Sequence, residues 1–323
     1  SFLSARKIAI SRSVFVRSEF PIMYFLESIT IDSGTLVLDS RIDSLGFGSR
    51  NSPAIIQWTV KNSQIGSWSG YVGGRVYNTT IGSISNFWGS SWGPRFLPNT
   101  TFSSCQINAI YPIPRTTSPG MSVEVTPSLS HIYFVNSSIG VVYQEKGLVK
   151  TFERALLKSS SATFFVCEIL LRNSSIVSST VRIQRTGDCQ SSRPSSVDMS
   201  GSFLRNSLIT SDYRSLGLSI WKLNRVTMQS SELNVRDVEN GIFFNHARIR
   251  QSEIRISNVG NASFRAAEIQ SGTTVRVGSS RNPNPTLDLS DALLQNTSMN
   301  VSPVWMIQKQ GLVIRRGSVI RRS

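Results

Sequence analysis

A bracket of two apolar residues five positions apart, with four mostly polar residues between, recurs along this chain and narrows the folds open to it. It is plainest between Arg225 and Val277. There VTMQSSELNV, ARIRQSEIRI and ASFRAAEIQS stack with Met228/Leu233, Ile249/Ile254 and Phe264/Ile269 in register. Period-2 alternation runs out of the bracket, as in Leu233-x-Val235 and Ile254-x-Ile256. Apolar residues at alternate positions belong on strands, and so short a polar interruption is a corner between them. A strand–corner–strand unit buries its apolar face only by stacking on copies of itself, so the pattern predicts a β-solenoid.

The bracket can be followed from Leu3/Ile8 and Tyr24/Ile29 through Val37/Ile42, Val60/Ile65, Val76/Ile81, Phe102/Ile107 and Phe134/Ile139. It continues through Leu171/Ile176 and Leu204/Ile209 to Leu294/Met299 and Ile314/Val319. Its second inner position is Asn at Asn62, Asn78, Asn136, Asn173, Asn206 and Asn296. Asn tolerates left-handed backbone angles and bonds to local backbone, which suits a tight corner. If equivalent corners stack, these six side chains form a hydrogen-bonded ladder along the solenoid. The expected fold is therefore all-β: a single-stranded parallel β-helix over residues 1–323 as one domain.

Corner-to-corner intervals lengthen in the middle third, so loop inserts are expected at about residues 110–200. One insert is Pro-rich (YPIPRTTSPG) and another, RIQRTGDCQSSRPSS, is basic. In a third, over Leu148–Ser159, Thr151 is placed to cap a short amphipathic helix, with Phe152, Ala155, Leu156 and Leu157 inward. The aromatic and Gly-rich passage from Trp68 to Phe96 is read as packing for the core or its flank, ahead of a stacking platform. The last strands, Gly311–Ser323, show no convincing polar cap, so the expectation is that protein neighbours dock at the solenoid ends or that the coil continues into deleted sequence. No apolar run reaches the length needed to span a bilayer as a helix.

Asn corners followed by Ser or Thr and then Ile resemble the right-handed parallel β-helix of the pectate-lyase-like superfamily. That resemblance is one of architecture. It implies polysaccharide lyases and hydrolases as relatives, chemistries that need clustered carboxylates. The acids here are scattered: Asp39 near Asp43, Asp288 near Asp291, Asp237 near Glu239. His131 and His246 have no partners at triad or ligand spacing, and Cys105, Cys167 and Cys189 show no CxxC spacing. No catalytic residue, cofactor or metal site is assigned. Seven N-x-S/T sequons occur, but four are corner Asn residues, where the turn already demands Asn and a small hydroxyl residue.

Charge supplies the functional expectation. The chain has 34 Lys and Arg against 19 Asp and Glu, a net charge of +15, and Arg far outnumbers Lys. Guanidinium forks match phosphate and carboxylate, so a polyanion is the expected partner. The first inner bracket position is basic at Lys61, Arg172, Arg205, Arg250, Arg265 and Arg315, which stacking would turn into a ridge. Glu232, Glu253 and Glu268 sit where they would neutralise Arg250 and Arg265. The candidate binding residues are therefore Lys61, Arg172, Arg182, Arg185, Arg193, Arg205, Arg315 and Arg316. The sharper expectation is RNA in a large ribonucleoprotein assembly in an organellar, mitochondrial, interior. The alternatives are a secreted, adhesin-like binder of acidic glycans and a polysaccharide lyase or hydrolase.

Overall fold

The computed structural model describes residues 2–47, 54–85, 95–111, 131–143, 150–151, 154–165, 168–184, 196–211, 218–280, 282–315 and 317–322. Among the described residues there are only strands, bends and turns, and no helix is long and apolar enough to cross a membrane. The strands wind as a right-handed parallel β-solenoid. The chain forms two compact units, Ser1–Thr163 and Phe164–Ser323.

In the first unit a narrow sheet is built from three-residue strands. Val14–Val16, Leu36–Leu38, Thr59–Lys61, Arg75–Tyr77, Thr101–Ser103, Tyr133–Val135 and Leu156–Lys158 pair in parallel, each in register with the next. From the second strand on, the central residue of each (Val37, Val60, Val76, Phe102, Phe134, Leu157) is buried and its two neighbours face outward. That is the period-2 rule at its shortest. The residue after each strand turns the chain with φ between 44° and 55°: Arg17, Asp39, Asn62, Asn78, Ser104, Asn136 and Ser159. The next side chain then points under the corner, at Ser40, Ser63, Thr79, Cys105, Ser137 and Ser160.

These buried hydroxyls are what hold the corner. A backbone N–H turned away from the strand ladder still needs an acceptor once buried. Ser40 N donates to Ser63 Oγ at 3.2 Å, Cys105 N to Ser137 Oγ at 3.2 Å and Ser137 N to Ser160 Oγ at 3.2 Å. Each hydroxyl donates in turn to the carbonyl two residues back, as Ser40 Oγ does to Leu38 O at 2.7 Å. The sequence separations bridged are 23, 32 and 23 residues, so variable loop lengths leave the corner geometry unchanged.

The second unit repeats the device. Ser175–Val177, Phe203–Arg205, Thr227–Gln229, Arg248–Arg250, Glu268–Gln270, Leu293–Gln295 and Val313–Ile314 pair in order. The left-handed corner falls at Ser178, Asn206, Ser230, Gln251, Ser271 and Asn296, with φ of 49–55°. A second left-handed corner precedes each of these strands, at Asn173, Gly201, Arg225, His246, Ala266, Asp291 and Gly311. Aromatic side chains at equivalent positions stack in the core, as Phe244 on Phe264 at 4.6 Å and, in the first unit, Phe102 on Phe134 at 5.3 Å.

The units differ beyond the first corner. In the second, Thr180–Gln184 continues straight and pairs residue for residue with its neighbour, Arg182 opposite Thr210. In the first, the pairing skips a position at Gly66, Gly82 and Gly140. A Cβ at Gly82 would stand 2.3 Å from the Gly66 carbonyl oxygen, so the bend there excludes a side chain.

Several sequence expectations need correction. Leu171/Ile176 and Phe264/Ile269 bracket the second corner, and Asn173 therefore stands apart from the other corner asparagines. Leu3/Ile8 and Tyr24/Ile29 lie within the long strands Phe2–Ile10 and Ile22–Ile31, which pair side by side and make no corner there. At the end of the chain Ile320, which pairs with Met299, replaces Val319 as the second member. The helix expected over Leu148–Ser159 is absent from its described part. Leu156–Lys158 is a strand of the narrow sheet, with left-handed Arg154 and Ser159 at its two ends. Ala155 and Leu157 are buried there while Leu156 faces outward, because coil stacking supplies a partner that an isolated helical turn lacks. Most of the Pro-rich insert and of the basic insert lies outside the described residues. Trp58 and Trp68 are core residues in edge-to-face contact, and Trp88 and Trp92 lie outside the described residues.

Candidate polyanion-binding site

The left-handed corner bends the chain so that a shallow groove runs along it. In the first unit its lining includes Arg17, Asp39, Asn62 and Asn78, with Glu19, Arg41 and Gln64 beside them. Here the amide ladder exists in short form: Asn78 Nδ2 donates to Asn62 Oδ1 at 3.0 Å and Asn62 Nδ2 to Asp39 Oδ1 at 3.1 Å. Asn136, Asn206 and Asn296 occupy the same corner position, but Ser or Gln separates them from other asparagines, so the six-membered ladder is not formed. In the second unit the groove is lined by Ser178, Asn206, Ser230 and Gln251, with Thr180, Leu208, Glu232 and Glu253 on its far side.

The near lip of that groove is the outward column of the narrow sheet, read in register as Val177, Arg205, Gln229, Arg250, Gln270 and Gln295. Arg205 and Arg250 are exposed, and among the described residues their side chains form no ion pair or hydrogen bond. They stand two strands apart, about 10 Å by the spacing of a β-sheet. Arg248 flanks Ile249 on the same outward face as Arg250, and Arg225 and Arg265 sit at the second corner beside it. Glu268, 3.8 Å from Arg248, is the acid on that face. Arg225 and Arg248 were missed from the sequence. The signal was there in Arg248-Ile249-Arg250, where alternation about a buried Ile puts both arginines outside.

The acids of the groove have partners of their own. Glu253 is bound by Arg255 at 2.9 Å and Arg276 at 3.4 Å, and Arg255 also reaches Glu232 at 3.3 Å. The expected pairing with Arg250 and Arg265 does not occur, because strand alternation puts Arg255, two residues along, on the same face as Glu253. The Arg255 hydrogen bond, with the charges of Arg255 and Arg276, holds the Glu253 carboxyl below its usual range against the opposing effect of burial. Glu232 and Glu253 are thus neutralised locally, and Arg205 and Arg250 are left uncompensated.

The other expected ligands divide. Lys61 occupies the equivalent column in the first unit, exposed and between Leu38 and Tyr77. Arg315 follows the last narrow strand and is exposed. Arg182 is exposed on the strand beyond the groove, in a column with Thr210, Asn234 and Arg255. Arg172 is corrected: it lies before the second corner, and its Nη2 and Nε bind Asp198 Oδ2 at 2.6 and 2.8 Å. Asp198 is 4 % exposed. Burial opposes its charge, but hydrogen bonds from Ser200 and from Arg172 outweigh this and hold its carboxyl below the usual range. Arg185, Arg193 and Arg316 lie outside the described residues.

The scattered acids serve the scaffold. Asp43 pairs with Arg41 at 2.8 Å, Asp288 accepts from Ser290 N at 2.9 Å, and Asp237 accepts from Asn258 Nδ2 at 3.0 Å. His131 and His246 are both left-handed residues of the second corner. Cys105 is a buried free thiol that replaces a hydroxyl in the corner column, while Cys167 and Cys189 lie outside the described residues. Among the described residues no group of three or more His, Cys, Asp or Glu is placed to hold a metal ion. No family model, curated protein or solved structure matches this chain.

Proposed function

We propose that this chain is a non-catalytic β-solenoid scaffold that docks on a polyanion through the outer face of its second unit's narrow sheet. The observation that carries this is the column in which, among the described residues, Arg205 and Arg250 stand exposed and unpaired, with Arg225 and Arg248 adjoining. Like charges held by a rigid sheet repel one another, and a bound polyanion relieves that repulsion while releasing its own counterions. Stacked left-handed corners support placing the fold beside the pectate-lyase-like superfamily, by architecture and not by chemistry. Composition, with Arg dominant and acids few, suits either class of polyanion, RNA in a large assembly or an acidic glycan.

Binding of single-stranded RNA and of heparin, measured across a salt series, tests the proposal. We expect affinity for a polyanion to fall steeply with salt. The double variant Arg205→Gln/Arg250→Gln should flatten the log–log slope by about two, one for each anionic group no longer neutralised. Salt-independent binding, or none, to both polymers would remove the proposal.

A further inference from the structure

The groove beside Arg205 and Arg250 carries chemistry that a generic polyanion site does not need. Its lining in the second unit is hydroxyl, amide and neutralised carboxylate, from Ser178, Asn206, Ser230, Gln251, Thr180 and Glu232. None of its lining residues is aromatic, so nothing in the groove offers the stacking platform on which single-stranded bases are held. Hydroxyls, amides and carboxylates are the donors and acceptors that match a polymer of sugar hydroxyls.

The charges on the lip are spaced. Along the groove the column reads Val177, Arg205, Gln229, Arg250, so one neutral amide separates the two cations. Adjacent strands are about 4.8 Å apart, close to the advance of one pyranose in an extended glycan. Two strands therefore match one disaccharide. Among the described residues the Asn206 side-chain amide has no hydrogen bond, while Ser230 Oγ reaches Gln251 Oε1 only at 3.4 Å, so the polar lining is free to bind a ligand.

We infer that the polyanion is an acidic polysaccharide with a disaccharide repeat, carrying its acid on alternate sugars and lying along this groove. Acid groups meet Arg205 and Arg250, the intervening sugar meets Gln229, and ring hydroxyls meet Asn206, Ser230 and Gln251. This rests on the polyanion-docking reading and narrows it: a homopolymer with an acid on every sugar would set every second carboxylate against the uncharged Gln229.

Calorimetry on the whole chain at one salt concentration, with three probes, decides it. The probes are a hyaluronan octasaccharide (acid on alternate sugars), an oligogalacturonate of equal length (acid on every sugar) and a mixed-sequence single-stranded RNA. We expect the first to bind at least about tenfold more tightly than the others, a difference of about 1.4 kcal/mol. Arg205→Gln/Arg250→Gln should weaken it about tenfold or more. Asn206→Gly and Gln251→Gly, which keep the left-handed corner, should weaken it several-fold. Equal or tighter binding of RNA or oligogalacturonate overturns this inference and leaves the docking reading standing. So does indifference of hyaluronan binding to the two glycine variants. Failure of all three probes to bind overturns both.

Discussion

The unit of this architecture is one residue held at φ near 50°. Side chains with a Cβ meet the backbone in that region, at a cost of about 1–2 kcal/mol relative to the right-handed basin. Ser, Asp, Gln and even Arg stand there, because burial of the flanking residues over-determines the turn. Asn62 adds a bond to Asp39 and accepts one from Asn78. Urea unfolding should therefore find Asn62→Ala destabilising by about 2 kcal/mol, and Asn62→Gly by about 1, since glycine relieves the turn but does not restore the two side-chain bonds. Equal losses would show that the backbone angle carries no strain. Asp198 gives a pH signature. Its folded carboxyl is depressed, so the stability it contributes is complete above about pH 4 and is lost as pH falls through the folded value. Asp198→Asn should cost about 1–3 kcal/mol at neutral pH and less in acid. Unfolding curves that stay parallel at pH 7 and in acid would remove Asp198 from the acid limb.

At the scale of the coil, the hydroxyl column joins one coil to the next. Ser207 Oγ shares its one proton between Ile176 O at 2.9 Å and Arg205 O at 2.8 Å and accepts from Ser179 N at 3.3 Å. Ser207→Ala leaves a buried N–H without its acceptor, so thermal or urea unfolding should register a loss of about 1–3 kcal/mol. An outward-facing neighbour such as Thr210 changed to Ala should cost about 0.5 kcal/mol or less. The corner was legible in the sequence because its chemistry is local: apolar, outward, left-handed, buried hydroxyl, outward, apolar. What misled was that the second corner carries the same five-residue spacing. Leu171/Ile176 spans one corner and Leu204/Ile209 the other, yet the two brackets look alike. Only the pairing of Ser175–Val177 with Phe203–Arg205 tells them apart, and pairing is a relation between distant segments.

For the molecule as a whole, the excess of 34 basic over 19 acidic residues is a destabilising self-repulsion at low ionic strength. Raising NaCl from about 10 mM to 150 mM shortens the Debye length from about 30 Å to 8 Å. The unfolding midpoint followed by circular dichroism should therefore rise by a few degrees. A fall would mean that ion pairs such as Glu253–Arg255 outweigh the net charge. The parallel coiled fold, the corner chemistry and the polyanion expectation were all written in the sequence, since alternation, turn preference and net charge need no partner to be read. The proposed binding face was not. That Arg205 and Arg250 share a lip, that Arg172 is held by Asp198, and that Glu253 is answered by Arg255 each depend on which strand lies beside which. Register between coils of unequal length is fixed by stacking of buried side chains, and only the folded chain decides it.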